Sequence, residues 1–160
     1  MLLAFFESVK YVGHLFPVSF LRVYLGYTYL NLGLSTYYSE FFKKPAVLEQ
    51  LKTGLELGLV PEWYRYVIEM AIMPNWKIAA IVVMVLQGLV GVSFILGFLV
   101  RPMGVLAIAM SLHAVVMNRG IAVDFSKTLL AVNVILVWLG AGRCLGFDYF
   151  FYKRNRGIWW

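Results

Sequence analysis

Charge is scarce in this chain: Asp, Glu, Lys and Arg make up 14% of its 160 residues, against 62% hydrophobic, where soluble domains carry about a quarter charged residues. So little polar surface cannot cover a water-soluble fold of this length, and a mean hydropathy of +0.80 calls for a lipid-facing exterior. Cysteine is nearly absent. With Cys144 alone, no internal disulfide, CxxC redox pair or iron–sulfur cluster can form within the chain. A basic face is missing too: seven Lys and seven Arg are scattered between apolar runs, so the net charge of +6 excludes nucleic acid as a partner. The dispersed glycines form neither a P-loop nor a dinucleotide fingerprint, and no Ser-His-Asp order or metal-ligand cluster stands out. No catalytic residue, metal or intrinsic cofactor is therefore expected. The first residues, Met1 to Glu7, lack the positive region and cleavage site of a secretory signal and are expected to be retained. Neither a myristoylation glycine nor a prenylation box is present, which leaves membrane spans as the means of attachment.

What the chain does have is long apolar runs. The clearest, 78–100, holds no formal charge until Arg101-Pro102, and it exceeds the roughly 18 residues that mark a membrane helix. Because a residue before proline disfavours helix, Arg101 is expected at the tip of a tight hairpin. Further spans are predicted at 103–118, between the hairpin and the turn Asn118-Arg119-Gly120, and at 126–142, ended by Gly142-Arg143. A first span at 16–36 is weaker in hydropathy because Arg22 and Asn31 interrupt it. The fold class is all-α: a polytopic membrane protein with a four-transmembrane-helix bundle, as one domain over 1–160.

Residues 38–76 between the first two spans hold five of the eight acids, yet the pattern is not that of a disordered loop. Leu48, Leu51, Leu55 and Leu59 recur at helical spacing, and Pro61 opens a stretch with Trp63, Val67 and Met70 on one face. Such segments, rich in Trp and Tyr, are expected to be interfacial amphipathic helices. Lys and Arg counts on the two sides are equal. The cluster Lys153, Arg154, Arg156 tips the expectation towards both termini in the cytoplasm, in an inner or plasma membrane.

Each span carries one small or polar stripe at helical pitch: Arg22, Gly26, Tyr29, Gly33 and Thr36 on the first; Ala80, Gln87, Gly91 and Phe94 on the second; Gly104, Ala107, Ser111 and Ala114 on the third; Ser126, Asn133 and Gly140 on the fourth. Those stripes are expected to face protein. An Arg within a span must snorkel, pair or contact an anionic ligand, so the stripes of Arg22 and Gln87 are expected to face each other or another protein group. Gln87 reads as interhelical glue or as a hydrogen-bond partner of a quinone or headgroup carbonyl. His113 falls away from its helix's small stripe, beside Leu106, Met110 and Met117. It reads either as a structural histidine at the interface or against a partner subunit, or as a pigment or quinone contact.

Three stretches, Arg22-x3-Gly26-x6-Gly33, Gln87-Gly88-Leu89-Val90-Gly91 leading to Leu96-Gly97-Phe98-Leu99-Val100-Arg101, and Leu139-Gly140-Ala141-Gly142-Arg143-Cys144-Leu145-Gly146-Phe147-Asp148, resemble the DoxX/DoxD family. The resemblance covers most of the chain and implies a four-helix membrane protein, in some members the membrane subunit of a thiosulfate:quinone oxidoreductase. Gln87 stands where many relatives have Glu, and Thr36 where many have Lys. Two functions are expected on this basis: a subunit of a quinone-linked electron-transfer complex, or a non-catalytic accessory subunit of a larger respiratory or photosynthetic complex. Its partners are the bilayer and other membrane subunits. Quinone or a bound lipid would meet Arg22, Gln87 and Arg143, with Arg22 and Arg143 at the cytoplasmic rim.

Overall fold

The computed structural model describes residues 16–38, 46–57 and 60–149, apart from the side chains of Ala46, Val47, Gln50 and Leu57. Leu59 and the basic cluster at 153–156 lie outside the described residues. The described residues form helices and no strand: α1 (Phe16–Tyr38), α2 (Ala46–Leu57), α3 (Glu62–Val67, continued by a π-helical turn, Ile68–Ile72), α4 (Trp76–Leu96), α5 (Val100–Met117), α6 (Ile121–Leu139) and a 3-10 turn, Ala141–Arg143. Three helices, α4, α5 and α6, are long and apolar enough to cross a membrane. Their outward residues are themselves apolar, from Ile81, Val85 and Leu89 on α4 to Trp138 on α6, which is 82% exposed. Outward hydrophobic surface on this scale suits a bilayer rather than water. The first helix is of similar length, 23 residues, and less apolar.

The helices pack as two pairs, α1 with α4 and α5 with α6, joined along α4 and α5. Glycine sets the first pair. A Cβ placed on Gly26 would lie 2.9 Å from the Gly91 carbonyl oxygen, and one on Gly91 would lie 2.9 Å from that of Gly26. The two backbones thus touch with no side chain between them, as small residues permit in membranes. Gly97 meets Arg22 near one end of this antiparallel pair and Gly33 meets Met84 and Gln87 towards the other. All four small or polar stripes face inward: Arg22, Gly26, Tyr29 and Gly33, then Ala80, Gly91 and Phe94, then Gly104, Ala107 and Ser111, then Ser126, Asn133 and Gly140 are buried. Leu25, Val90, Val100, Leu136 and Ala141 fill the core among them, and the Tyr29 ring meets Phe94 edge to face at 6.1 Å.

The helix ends differ from expectation in three places. The hairpin between α4 and α5 turns at Gly97 to Leu99, where Gly97 takes φ +66 and Leu99 φ +55. Arg101-Pro102 is not its tip but sits in the first turn of α5, where proline's missing N–H has no intrahelical partner to lose. The last helix starts at Ile121, a turn earlier than the charges suggested, because Asp124 and Lys127 form an exposed ion pair along the helix at 3.5 Å. It ends at Leu139, since Gly140 with φ +62 breaks it.

In the segment before α4, Leu51 and Leu55 pack with Ile68 and with Tyr64, Ile72, Met73 and Met117, covering the end of α5. The face expected from Trp63, Val67 and Met70 is the outer one: Trp63 is 70% and Met70 64% exposed, while Ile68 is fully buried.

Candidate functional site

The three stretches that carry the sequence resemblance converge on one polar knot at the end of the bundle where α1 begins and α6 ends. Arg22 is 1% exposed. Its Nη1 donates to the carbonyl oxygens of Ala141 at 2.8 Å and Cys144 at 3.2 Å, and its Nη2 to that of Leu145 at 2.9 Å. Ser19, one turn earlier, donates to the Cys144 carbonyl at 2.9 Å. These carbonyls have left the helix. Past Gly140 the chain folds through a 3-10 turn and then Leu145 at φ +52, so their usual partners are gone and a guanidinium with fixed, forked donors replaces them.

Asp148 completes the other half. Its carboxylate accepts from the backbone N–H of Leu99 at 2.7 Å and of Val100 at 3.1 Å. The start of α5 has no side-chain cap of its own and no acid in its first turn. Asp148 therefore caps it from across the bundle, placing negative charge at a helix N-terminus. Backbone bonds from Phe147 to Leu96 at 3.3 Å and from Asp148 to Gly97 at 2.9 Å stitch the same strand of chain to the hairpin. Burial pushes the Asp148 carboxyl above the ordinary carboxylate range, against the pull of its two N–H donors and the charges of Arg22 and Arg101. Gly146 and Gly97 leave room for this: a Cβ on Gly146 would fall 2.8 Å from both Arg22 Nη1 and the Gly97 oxygen.

Arg143 lies half-buried in the 3-10 turn of this knot, and the guanidinium of Arg101 rests over Gly140. Arg22 thus lies buried at the centre of this knot, with both Nη atoms on backbone carbonyls and its Nε without an acceptor among the described residues. Of the two expectations for its stripe it meets the second, facing another protein group rather than Gln87. Gln87 sits eleven residues further along the α1 face, against Gly33, about 16 Å away at 1.5 Å per residue. Its Oε1 is buried without a hydrogen-bond partner among the described residues.

A second polar group lies deeper. The Asn133 amide, 0% exposed, donates to the Tyr29 hydroxyl at 2.7 Å and to Ser111 Oγ at 3.0 Å, and the Ser111 hydroxyl in turn donates to the Ala107 carbonyl at 2.8 Å. Three helices, α1, α5 and α6, are tied at one point. His113 lies on the other side of α5, and its Nδ1 is 2.5 Å from the Tyr64 hydroxyl. The partner of His113 is thus the chain's own α3. An open hollow of about 610 Å³ lined by Val60, Glu62, Arg65, Tyr66 and Glu69 shares no residue with any of these groups.

Sequence reasoning named Arg22, Gln87, His113 and Arg143 but gave no role to Ser19, Asp148 or Tyr64. Asp148 had a signal: an acid set in the apolar stretch Leu145-Gly146-Phe147-Asp148-Tyr149-Phe150 has to find donors. The Tyr64–His113 bond left none, because nothing in the sequence orients α3 against α5. Among the described residues no group of His, Cys, Asp or Glu could hold a metal ion. No protein-family model, curated protein or solved structure matches the chain.

Proposed function

We propose that this chain is an integral membrane subunit whose work is structural: a four-span bundle that supplies a fixed helical surface to a larger respiratory or photosynthetic assembly. The observation that carries this reading is the fate of Arg22. The one cation in α1 gives three hydrogen bonds from its two Nη atoms to the carbonyls of Ala141, Cys144 and Leu145, so it fastens α1 to the chain beyond α6, and its Nε, without an acceptor among the described residues, is itself buried. In this reading α1 is the fourth span, its 23 residues reaching about 35 Å. The 46–72 segment lies at one membrane surface with Trp63, Tyr66 and Met70 turned outward, as aromatic anchors are. The knot then faces the cytoplasm, on the side of Lys153, Arg154 and Arg156, in an inner or plasma membrane.

A second reading, a DoxX/DoxD-like subunit of a quinone-linked oxidoreductase, rests on the sequence resemblance and on one atom. Gln87 Oε1 is buried without a partner among the described residues, and in this reading it accepts a hydrogen bond from a hydroquinone hydroxyl, or the amide, turned over, donates one to a quinone carbonyl.

Purification in mild detergent separates the two. Co-purification with a large complex and no quinone in fixed ratio to this subunit is the expected result. One quinone per chain, lost on Gln87→Leu, would overturn the structural reading in favour of the second. Labelling of single cysteines along α1 and α4 by a membrane-impermeant thiol reagent tests the spans, and a C-terminal phosphatase fusion that works only when exported tests the orientation, which predicts it silent.

A further inference from the structure

On α1, opposite the face that holds Arg22, Gly26, Tyr29 and Gly33, six exposed residues recur at alternating spacings of four and three: Phe20, Tyr24, Tyr27, Asn31, Leu34 and Tyr38. That is the spacing of the contact positions of paired helices. The stripe is large and aromatic, with Tyr24 65% and Tyr27 62% exposed. Asn31 interrupts it. The serine and threonine hydroxyls on this part of α1 serve their own helix: Thr28 donates to the Tyr24 carbonyl at 3.0 Å, and Ser35 and Thr36 donate to that of Leu32 at 2.8 and 2.9 Å. The Asn31 amide has no hydrogen bond among the described residues. Its neighbour Leu30 packs on Gly91, and Gly33 lies against Gln87 and Gly88, so Asn31 stands level with the middle of the 21-residue apolar helix α4. An amide at that depth, facing outward, meets acyl chains with two donors and an acceptor unmet.

We propose that this face is where two copies of the chain pair, α1 against α1, with Asn31 bonded to Asn31 of the second copy. The choice of a second copy follows from the amide. It is donor and acceptor at once, so it satisfies itself across a two-fold axis. Two copies inserted in the same sense can set α1 against α1 about an axis along the membrane normal only in parallel, and parallel pairing of this stripe puts each residue opposite its own counterpart. A single Asn at such a position fixes register and strand number in paired helices, and interhelical amides hold spans together in lipid. The proposal rests on α1 being the fourth span.

The test uses the full chain in native membranes. Single cysteines are introduced as Tyr27→Cys, Asn31→Cys and Leu34→Cys on the stripe, and as Leu21→Cys and Leu32→Cys on the flank of the same helix. On mild oxidation the stripe positions form disulfide-linked dimers, and the flank positions and the native chain, whose Cys144 is buried, do not. Dimers at neither set, dimers equally at both, or cross-links only to other proteins would each overturn the proposal. Asn31→Leu should weaken the native dimer roughly three- to thirtyfold in single-molecule photobleaching, and Asn31→Gln should restore part of it. An unchanged dimer in Asn31→Leu would count against the amide. A membrane-impermeant maleimide keeps the two readings apart: labelling of Asn31→Cys means that α1 does not span, whereas an unlabelled cysteine that also fails to cross-link sinks the pairing alone.

Discussion

Arg22 and Asp148 share one buried knot without bonding to each other. The guanidinium turns to the carbonyls of Ala141, Cys144 and Leu145, and the carboxylate turns to the N–H groups of Leu99 and Val100. Each charge thus meets backbone groups of opposite polarity, the cation on carbonyls past the end of α6 and the anion on the amides that open α5, and their mutual attraction acts over a distance.

Removing the cation should therefore unmake the end of the bundle. Arg22→Leu leaves three carbonyls without their donor and is expected to cost about 3–5 kcal/mol, read as a lower midpoint of thermal unfolding in detergent. Arg22→Lys keeps the charge, loses the planar fork and should fall between. A wild-type midpoint for Arg22→Leu would show that the carbonyls find other donors.

Asp148→Ala should cost about 0.5–2 kcal/mol, the usual range for a lost helix cap. Asp148→Asn, which keeps one acceptor, should lose less. Amide exchange at Leu99 and Val100 is the more specific readout, because it should quicken in both variants even where the midpoint barely moves.

The glycines of α4 should behave oppositely to one another. A Cβ on Gly91 would come within 2.6 Å of Leu30, whereas one on Gly88 meets nothing within 4 Å. Gly91→Val is expected to lower stability by about 1–3 kcal/mol by forcing α1 and α4 apart. Gly88→Ala should be neutral or gain up to about 1 kcal/mol from helix propensity. Equal effects at the two positions would contradict the close approach.

Tyr64→Phe and His113→Leu each remove the bond between α3 and α5. A double-mutant cycle should return a coupling of about 0.5–1.5 kcal/mol, and proteolysis within 46–72 should speed up in both single variants. Additive effects would mean that the hydrophobic contacts of Ile68 hold the segment unaided.

The helices and their inward faces were readable because they depend on local order: apolar runs give length, and one small or polar stripe per helix gives the side that meets protein. Arg22, Gly91, Ser111 and Asn133 were placed on those stripes by a 100° step alone. What could not be read was anything set by backbone left unpaired far away in sequence. Arg22 was expected to face Gln87 or another protein group, but which group was not legible, because its partners are carbonyls, which have no letter in a sequence, and they come free only because Gly140 and Leu145 turn left-handed. The same reason hid the cap from Asp148 to α5. Trp63, Val67 and Met70 do share one face of α3, the exposed one, but that Ile68 would pack against Leu51 and Leu55 could not be read, because nothing in the sequence sets α3 against α2.

The knot also has a consequence for how the chain is made. Arg22 and its acceptors are 119 to 123 positions apart. At about 5–20 residues per second of synthesis, the arginine waits on the order of 10 s before the first of them is built. Through that interval its charge sits near the bilayer without the three carbonyls that meet it in the finished fold, held at the surface by headgroups and water. The first helix can thus settle fully into its inward position only as synthesis nears its end. A ribosome stalled before residue 141 would leave an unburied guanidinium on the nascent chain, a mark by which the cell's quality control could tell an unfinished bundle from a finished one.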